Sequence, residues 1–268
     1  MQVCGVGGDA AIGLMAREWN SDEAILHEDD FIYGIYECVM GDKGYHVAQV
    51  VVANQALTLL YENGGDAASC MEMLGKDGLT FDQIRWIFSS YTEEELTATG
   101  WDPKSIVSDG DDSTHLWSEL NEKCVAHPIN VVVPTVASDM HKIFHNVIIT
   151  DSDNGETIRY NYMAQNDDSE VFGALEADED AIGFAAYSMN LPKGKIAAAV
   201  NGVKPSVESI SKYQLGRPLY MNLRVDETIE QTAPYVDYGI NSDMIIEGFV
   251  PLSEEQYEEA EERCVANF

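Results

Sequence analysis

Basic residues are scarce in this chain: 15 lysines and arginines stand against 47 aspartates and glutamates, a formal net charge of −32 over 268 residues. A surface so negative repels nucleic-acid phosphates and anionic lipid headgroups over a Debye length of about 10 Å at 0.1 M salt, so neither is an expected partner. Long apolar runs are lacking too. No stretch of about 18 apolar residues is present, which excludes a membrane-spanning helix and membrane insertion. The N-terminal MQVCGVGGDAAIGLMAREW has neither a basic n-region nor a continuous apolar h-region, so an exported form is expected to have lost its leader. Among the five cysteines (Cys4, Cys38, Cys70, Cys124, Cys264) there is no C-x-x-C pair, which argues against a zinc knuckle or a thioredoxin-like site. CGVGGDAAIG lacks the lysine of a phosphate-binding P-loop, and no dinucleotide-binding spacing occurs. No local motif pairs a nucleophile with a base. An enzyme is not expected, nor is any catalytic residue or cofactor.

What is there is an ordinary globular composition, 45% hydrophobic and 9% aromatic, in a chain long enough for two lobes. Scattered cysteines in an acidic chain fit one or two disulfides in an oxidising compartment, or buried thiols in a reducing one. Tyr45–Tyr61 is a β-rich run longer than a usual strand and able to cross between lobes. In LTFDQIRWIF, Thr80 and Gln83 form a capping box, and Ile84, Ile87 and Phe88 share a helical face. Asp109–Leu120 reads as a polar loop entering an amphipathic helix. Asn154-Gly155 marks a turn between two β-prone segments of VIITDSDNGETIRYNYM. SEVFGALEADEDAIGFAAYSM reads as a helix, an acidic turn and a buried segment from Ala181. Gly216–Val225 is a strand with Pro218 near its start, and a final helix is capped by Ser253 and Gln256.

The richest stretch is HPINVVVPTVASDMHKIF, His127 to Phe144. A β-branched run, Ile129–Val133, ends at Pro134, and a short loop opens a helix at Ser138. Such strand-to-helix loops build anion sites in α/β proteins, because the first N–H groups of the helix lack partners and are positively polarised. Here Asp139 places a carboxylate where an anion would sit.

The order of segments resembles the periplasmic phosphate-binding proteins of ABC transporters, of the type II solute-binding fold. GLTFDQIRWIF is similar to that family's LT-x-x-Q-L-x-x-I-F helix, DAIGFAAYSM to its AIGY segment, and YQLGRPLYMNL to YPLSRPLY. GFVPLSEEQYEEAEER resembles the closing GYVPLP and helix, and AAIGLMAREWNSDEA resembles DIAGASRPIKDEE. The resemblance implies an α/β fold of two lobes, with mixed sheets flanked by helices and a two-strand hinge. Lobe one would comprise residues 1–57 with 216–268, and lobe two residues 58–215. The family usually begins with a Gly-Ser-Ser-Thr loop, and this chain starts after most of that region, as a truncated or processed form would.

In that family backbone N–H groups, hydroxyls, an arginine and a proton-accepting carboxylate hold the anion. The D-G-S-G-T helix start corresponds to Val136-Ala137-Ser138-Asp139-Met140, of which only Ser138 survives. The expected arginine falls on Pro134. The proton-accepting aspartate falls on Ala11, with Asp9 two residues before it. V-A-I-D-G-L becomes Val52-Ala53-Asn54-Gln55-Ala56-Leu57 and loses its Asp-Gly pair. Arg17, Ile182-Gly183 and Arg217-Pro218-Leu219 keep the scaffold. By resemblance, the candidate ligand-binding residues are Thr135, Ser138, Asp139, Asp9, Arg17 and Gln55.

The expected function is therefore that of a non-enzymatic, phosphate-binding-protein-like domain with a degraded phosphate site. It would act outside the cytoplasm as an interaction or structural subunit, or bind an altered small ligand. The alternative is a working phosphate or oxyanion receptor. The expected partner is a larger protein assembly or an ABC transporter rather than a small anion. Asp109–Ser113 and Asp151–Glu156 read as a solvated loop and a turn rather than calcium sites. His141 and His145 share a helical face near Asp139 but lack the glutamate of H-E-x-x-H, and no metal is expected.

Overall fold

Four strands come first in the computed structural model: β1 (Ile12–Met15), β2 (Ala24–Leu26), β3 (Ile35–Met40) and β4 (Lys43–Glu62). The structure describes residues 12–15, 24–26, 35–40, 43–98, 100–107, 114–149, 162–163, 168–187, 191–224 and 249–267. The chain divides into two units, residues 1–56 with 216–268 and residues 57–215. β4 carries the chain from the first unit into the second, and the chain returns between Leu215 and Gly216.

In the first unit β9 (Gly216–Arg224) lies between β1 and β4, antiparallel to both. β3 pairs with the start of β4, and β2 pairs with β3. The β4–β9 register shifts between Val51 and Ala53, a bulge centred on Val52. Gln49 and Asn222 face each other across this pair, both buried, with Gln49 Nε2 donating to Asn222 Oδ1 at 2.8 Å. Val52, Met221, Leu252 and Tyr257 pack around buried Val50 and Ala260, the latter on the C-terminal helix, Glu254–Asn267. The expected capping box opens that helix. Ser253 Oγ accepts the Gln256 N–H and Gln256 Oε1 accepts the Ser253 N–H.

The second unit continues with α1 (Asp66–Leu74), α2 (Phe81–Phe88), α3 (Glu93–Ala98), α4 (Trp117–Leu120), β5 (Asn130–Val133), α5 (Asp139–Phe144), β6 (Tyr162–Met163), α6 (Asp168–Ala177), β7 (Ala181–Ala186) and β8 (Lys195–Ala197). β4 pairs antiparallel with β7 and β8, whereas β5 runs parallel to β7 and to β6, so the sheet is mixed. Gly183 is required where β7 meets β5: a Cβ there would sit 2.7 Å from the Val132 carbonyl oxygen. α2 starts as its sequence dictates, with Thr80 Oγ1 accepting the Gln83 N–H at 3.1 Å and Gln83 Oε1 accepting the Thr80 N–H at 2.9 Å. Its apolar face and the sheet enclose Ile84, Ile87, Phe88, Phe144 and Phe184, all fully buried. Phe144 stacks on Phe184 with ring centroids 4.0 Å apart, and Phe88 meets both rings edge-on.

Two sequence expectations are corrected here. Val147–Ile149 is not a strand: α5 runs on through a wider π turn over His145–Ile149. Ile148 and Ile149 are buried in that turn, so packing overrides the β-branched preference for a strand. The helix after Asp109–Thr114 is a single turn, not an amphipathic helix. Trp117, Glu119 and Leu120 are all buried, and Asn121 returns to extended backbone. The Asn154-Gly155 turn lies outside the described residues, as do the acidic segments Asp109–Ser113 and Asp151–Glu156.

A disulfide joins Cys70 on α1 to Cys124, with Cα atoms 4.9 Å apart. Among the described residues no helix is long and apolar enough to cross a membrane.

Candidate functional site

β5 delivers the chain to Pro134, and Thr135–Ser138 turn it into α5. Ser138 is the N-cap, in extended backbone. Its N–H donates to the Thr135 carbonyl at 2.8 Å, and its Oγ accepts the Met140 N–H at 3.1 Å. The donor that a helix start would offer an anion at position 140 thus points to the cap's own hydroxyl. The Met140 side chain is buried, where the family's threonine would present a hydroxyl. Asp139 is the first helical residue. Thr135 is half-buried in the loop.

Gln55 lies on β4 in the first unit, paired with Arg217 across the β4–β9 ladder. Its Oε1 accepts from Arg217 Nε at 3.1 Å and from Nη2. Neighbouring Asn54 is bound in the same way. Its side-chain amide pairs with Gln256 in both directions, at 2.9 and 3.0 Å, and also donates to the Pro251 carbonyl. Gln55 stands where the resemblance expects the aspartate of Asp-Gly, and both residues tie the first unit together. Asp9 and Arg17 lie outside the described residues.

The two histidines read as a helical pair are not equivalent. His141 is buried, with Nδ1 donating to the Pro134 carbonyl at 3.0 Å. Burial holds its pKa below the ordinary imidazole value; the Pro134 bond raises it in part, and His145 lowers it further. The folded state therefore favours neutral His141, while the unfolded chain takes up a proton below a pH of about 6.5. Stability is fully present above that pH and falls as pH drops through the window down to the folded pKa. A two-dimensional NMR titration should show His141 titrating below the free imidazole value of about 6.5. A midpoint at or above that value would contradict the burial argument.

No protein-family model and no curated protein matches the chain by sequence. Solved structures do match by shape. A possible phosphate binding protein from Planctomyces limnophilus superposes with a TM-score of 0.60 at 14% identity, covering 97% of this chain and 82% of its own. PstS from Borrelia burgdorferi gives 0.58 at 14% identity, covering 91% and 80%. An ABC-type phosphate transport receptor from Vibrio cholerae gives 0.52 at 16%, covering 87% and 75%. The chain has the phosphate-binding-protein fold. Identities this low carry the architecture and leave the ligand to the residues themselves.

A second group in this phosphate-binding-protein-like fold was not visible as a motif. Asp66, at the start of α1, pairs with His127 Nδ1, and Asp180 Oδ1 accepts the Asp66 N–H at 3.1 Å. One ligand atom from each of Asp66, His127 and Asp180 lies within 4.8 Å of the other two. The partners are 61 and 114 residues from Asp66, so no local spacing could announce them. The nearest sequence signal was the pair of cysteines flanking two of them: Cys70 follows Asp66 by one helical turn, and Cys124 precedes His127 by three residues.

Proposed function

We propose that this chain is a non-enzymatic, extracytoplasmic domain of the phosphate-binding-protein type whose usual phosphate site is degraded, and that it serves as an interaction or structural subunit. The carrying observation is the closed helix start at Ser138. There the Ser138 and Met140 N–H groups are engaged by the protein itself, and Met140 turns into the core. A dehydrated anion is held only where donors replace its water, and each charge-assisted hydrogen bond lost forfeits about 1.5–3 kcal/mol. Each 1.4 kcal/mol is about tenfold in affinity, so losing three bonds takes a micromolar site to almost none. Asp139, the first residue of that helix, brings a negatively charged residue type to a helix start that an anion would need free of one. Gln55 supports the reading from the first unit, since Arg217 engages it.

Calorimetric titration of the chain with orthophosphate at neutral pH tests this. No saturable micromolar binding is expected. One-site saturable heat would overturn the degraded site and identify a working oxyanion receptor. A structural subunit is expected to elute from its native source in stoichiometric complex, and isolation as a free monomer would count against that role.

A further inference from the structure

We propose that Asp66, His127 and Asp180 form a binding site for a divalent transition metal ion, zinc in the first instance, on the second unit. The three side chains come from the start of α1, from the loop before β5 and from the turn before β7. They supply one imidazole nitrogen and two carboxylates, with the three ligand atoms within 4.8 Å of one another. Zinc holds nitrogen and carboxylate ligands at about 2.0–2.2 Å in tetrahedral geometry, which places ligand atoms roughly 3.3 Å apart. Binding would have to draw the more distant ligand atoms inward by up to about 1.5 Å.

The backbones beneath the three ligands are fixed independently of any ion. Fully buried Trp117 reaches two of them: its N–H donates to the His127 carbonyl and its indole N–H to the Asp180 carbonyl, both at 3.0 Å. The Cys70–Cys124 bond fastens the segment leading to His127 against α1, which carries Asp66. Asp178 Oδ1 accepts the Asp180 N–H at 3.1 Å and fixes the third backbone. Preorganisation of this kind removes much of the ordering cost of binding.

Charge and chemistry select the ligand class. Two carboxylates and a neutral imidazole balance one divalent cation, and imidazole with carboxylate suits zinc better than magnesium or calcium, which prefer oxygen alone. The net charge of −32 raises the local concentration of any cation at the surface. Three protein ligands leave a fourth position to water. The α1 N-terminus opposes a cation, but Asp180 already engages the Asp66 N–H there.

The test uses the intact, disulfide-bonded chain, stripped with a chelator and with accessible thiols alkylated. It is titrated with Zn²⁺ by calorimetry in excess Mg²⁺, which suppresses weak binding to the acidic surface. One site per chain is expected, together with a zinc-dependent rise in melting temperature. Asp180→Asn keeps an amide oxygen that can accept the Asp66 N–H, so its fold should survive, while zinc affinity falls. The loss should be at least tenfold, because even groups that only support a metal ligand are worth about 10–100-fold. His127→Gln, at an exposed position, should behave alike. Equal zinc affinity in wild type and both variants would overturn the site, as would the absence of any stoichiometric binding to the wild type.

Discussion

Phe144→Ala is expected to destabilise the second unit by about 3–5 kcal/mol, the range for deleting a fully buried phenylalanine. Phe144 is completely buried. It stacks on Phe184 at a ring separation of 4.0 Å and meets Phe88 at 4.8 Å, so its removal opens a cavity between them and leaves these two rings only their edge-on contact with each other at 5.7 Å. α5 and the sheet cannot close the gap by collapse, because β7 is fixed between β4 and β5. Scanning calorimetry should place the second unit's transition roughly 10 °C lower, at about 2–4 °C per kcal/mol for a unit of this size. Phe144→Leu should recover more than half of the loss. A loss below about 1 kcal/mol for alanine would show that the three rings are not the centre of this core.

Removing the Cys70–Cys124 bond has the next largest effect. The two cysteines are 54 residues apart in sequence. Chain-entropy arguments for a loop of that length give about 4 kcal/mol, with measured values for native disulfides of about 2–5 kcal/mol. Both side chains are buried, so Cys70→Ala with Cys124→Ala leaves little polar debris, and the expected loss is mostly that of the cross-link. Urea unfolding should show a lower midpoint for the double variant. Adding a reductant should move the wild type to the same midpoint and leave the variant where it is. Coincident wild-type curves with and without reductant, at full reduction of the bond, would refute the prediction.

The sequence was legible wherever a signal is local. The two capping boxes, Thr80 with Gln83 and Ser253 with Gln256, form as their spacing requires, because each is a contact within one helical turn. β5 and the long β4 follow from their β-rich content, whereas β7, with Ile182 as its single β-branched residue, reads only as a buried segment. Val147–Ile149 misled for the opposite reason: its side chains favour a strand, but burial behind α5 holds the backbone helical. The i, i+4 spacing of His141 and His145 was legible and still uninformative, since His141 turns inward to Pro134. Which cysteine joins Cys70, and which carboxylates meet His127, depend on contacts across 54 to 114 residues. Periodicity does not reach that far. The candidate phosphate ligands were legible only through resemblance, and the hydrogen bonds that engage Ser138 and Gln55 needed coordinates.

β4 has one more consequence. Its 20 residues pair with β9 as far as Ala56 and with β7 from Leu57, with no loop between the two ladders. Elsewhere in the chain a gained or lost residue can disappear into a surface turn. Within β4 it must slide one half of the strand against Arg224–Gly216 or the other against Ala186–Ile182, and a slip of one residue turns every side chain to the opposite face. The bulge at Val52 is such an extra residue made permanent. Length along this stretch should therefore drift far more slowly among descendants of this fold than the identity of the residues that fill it.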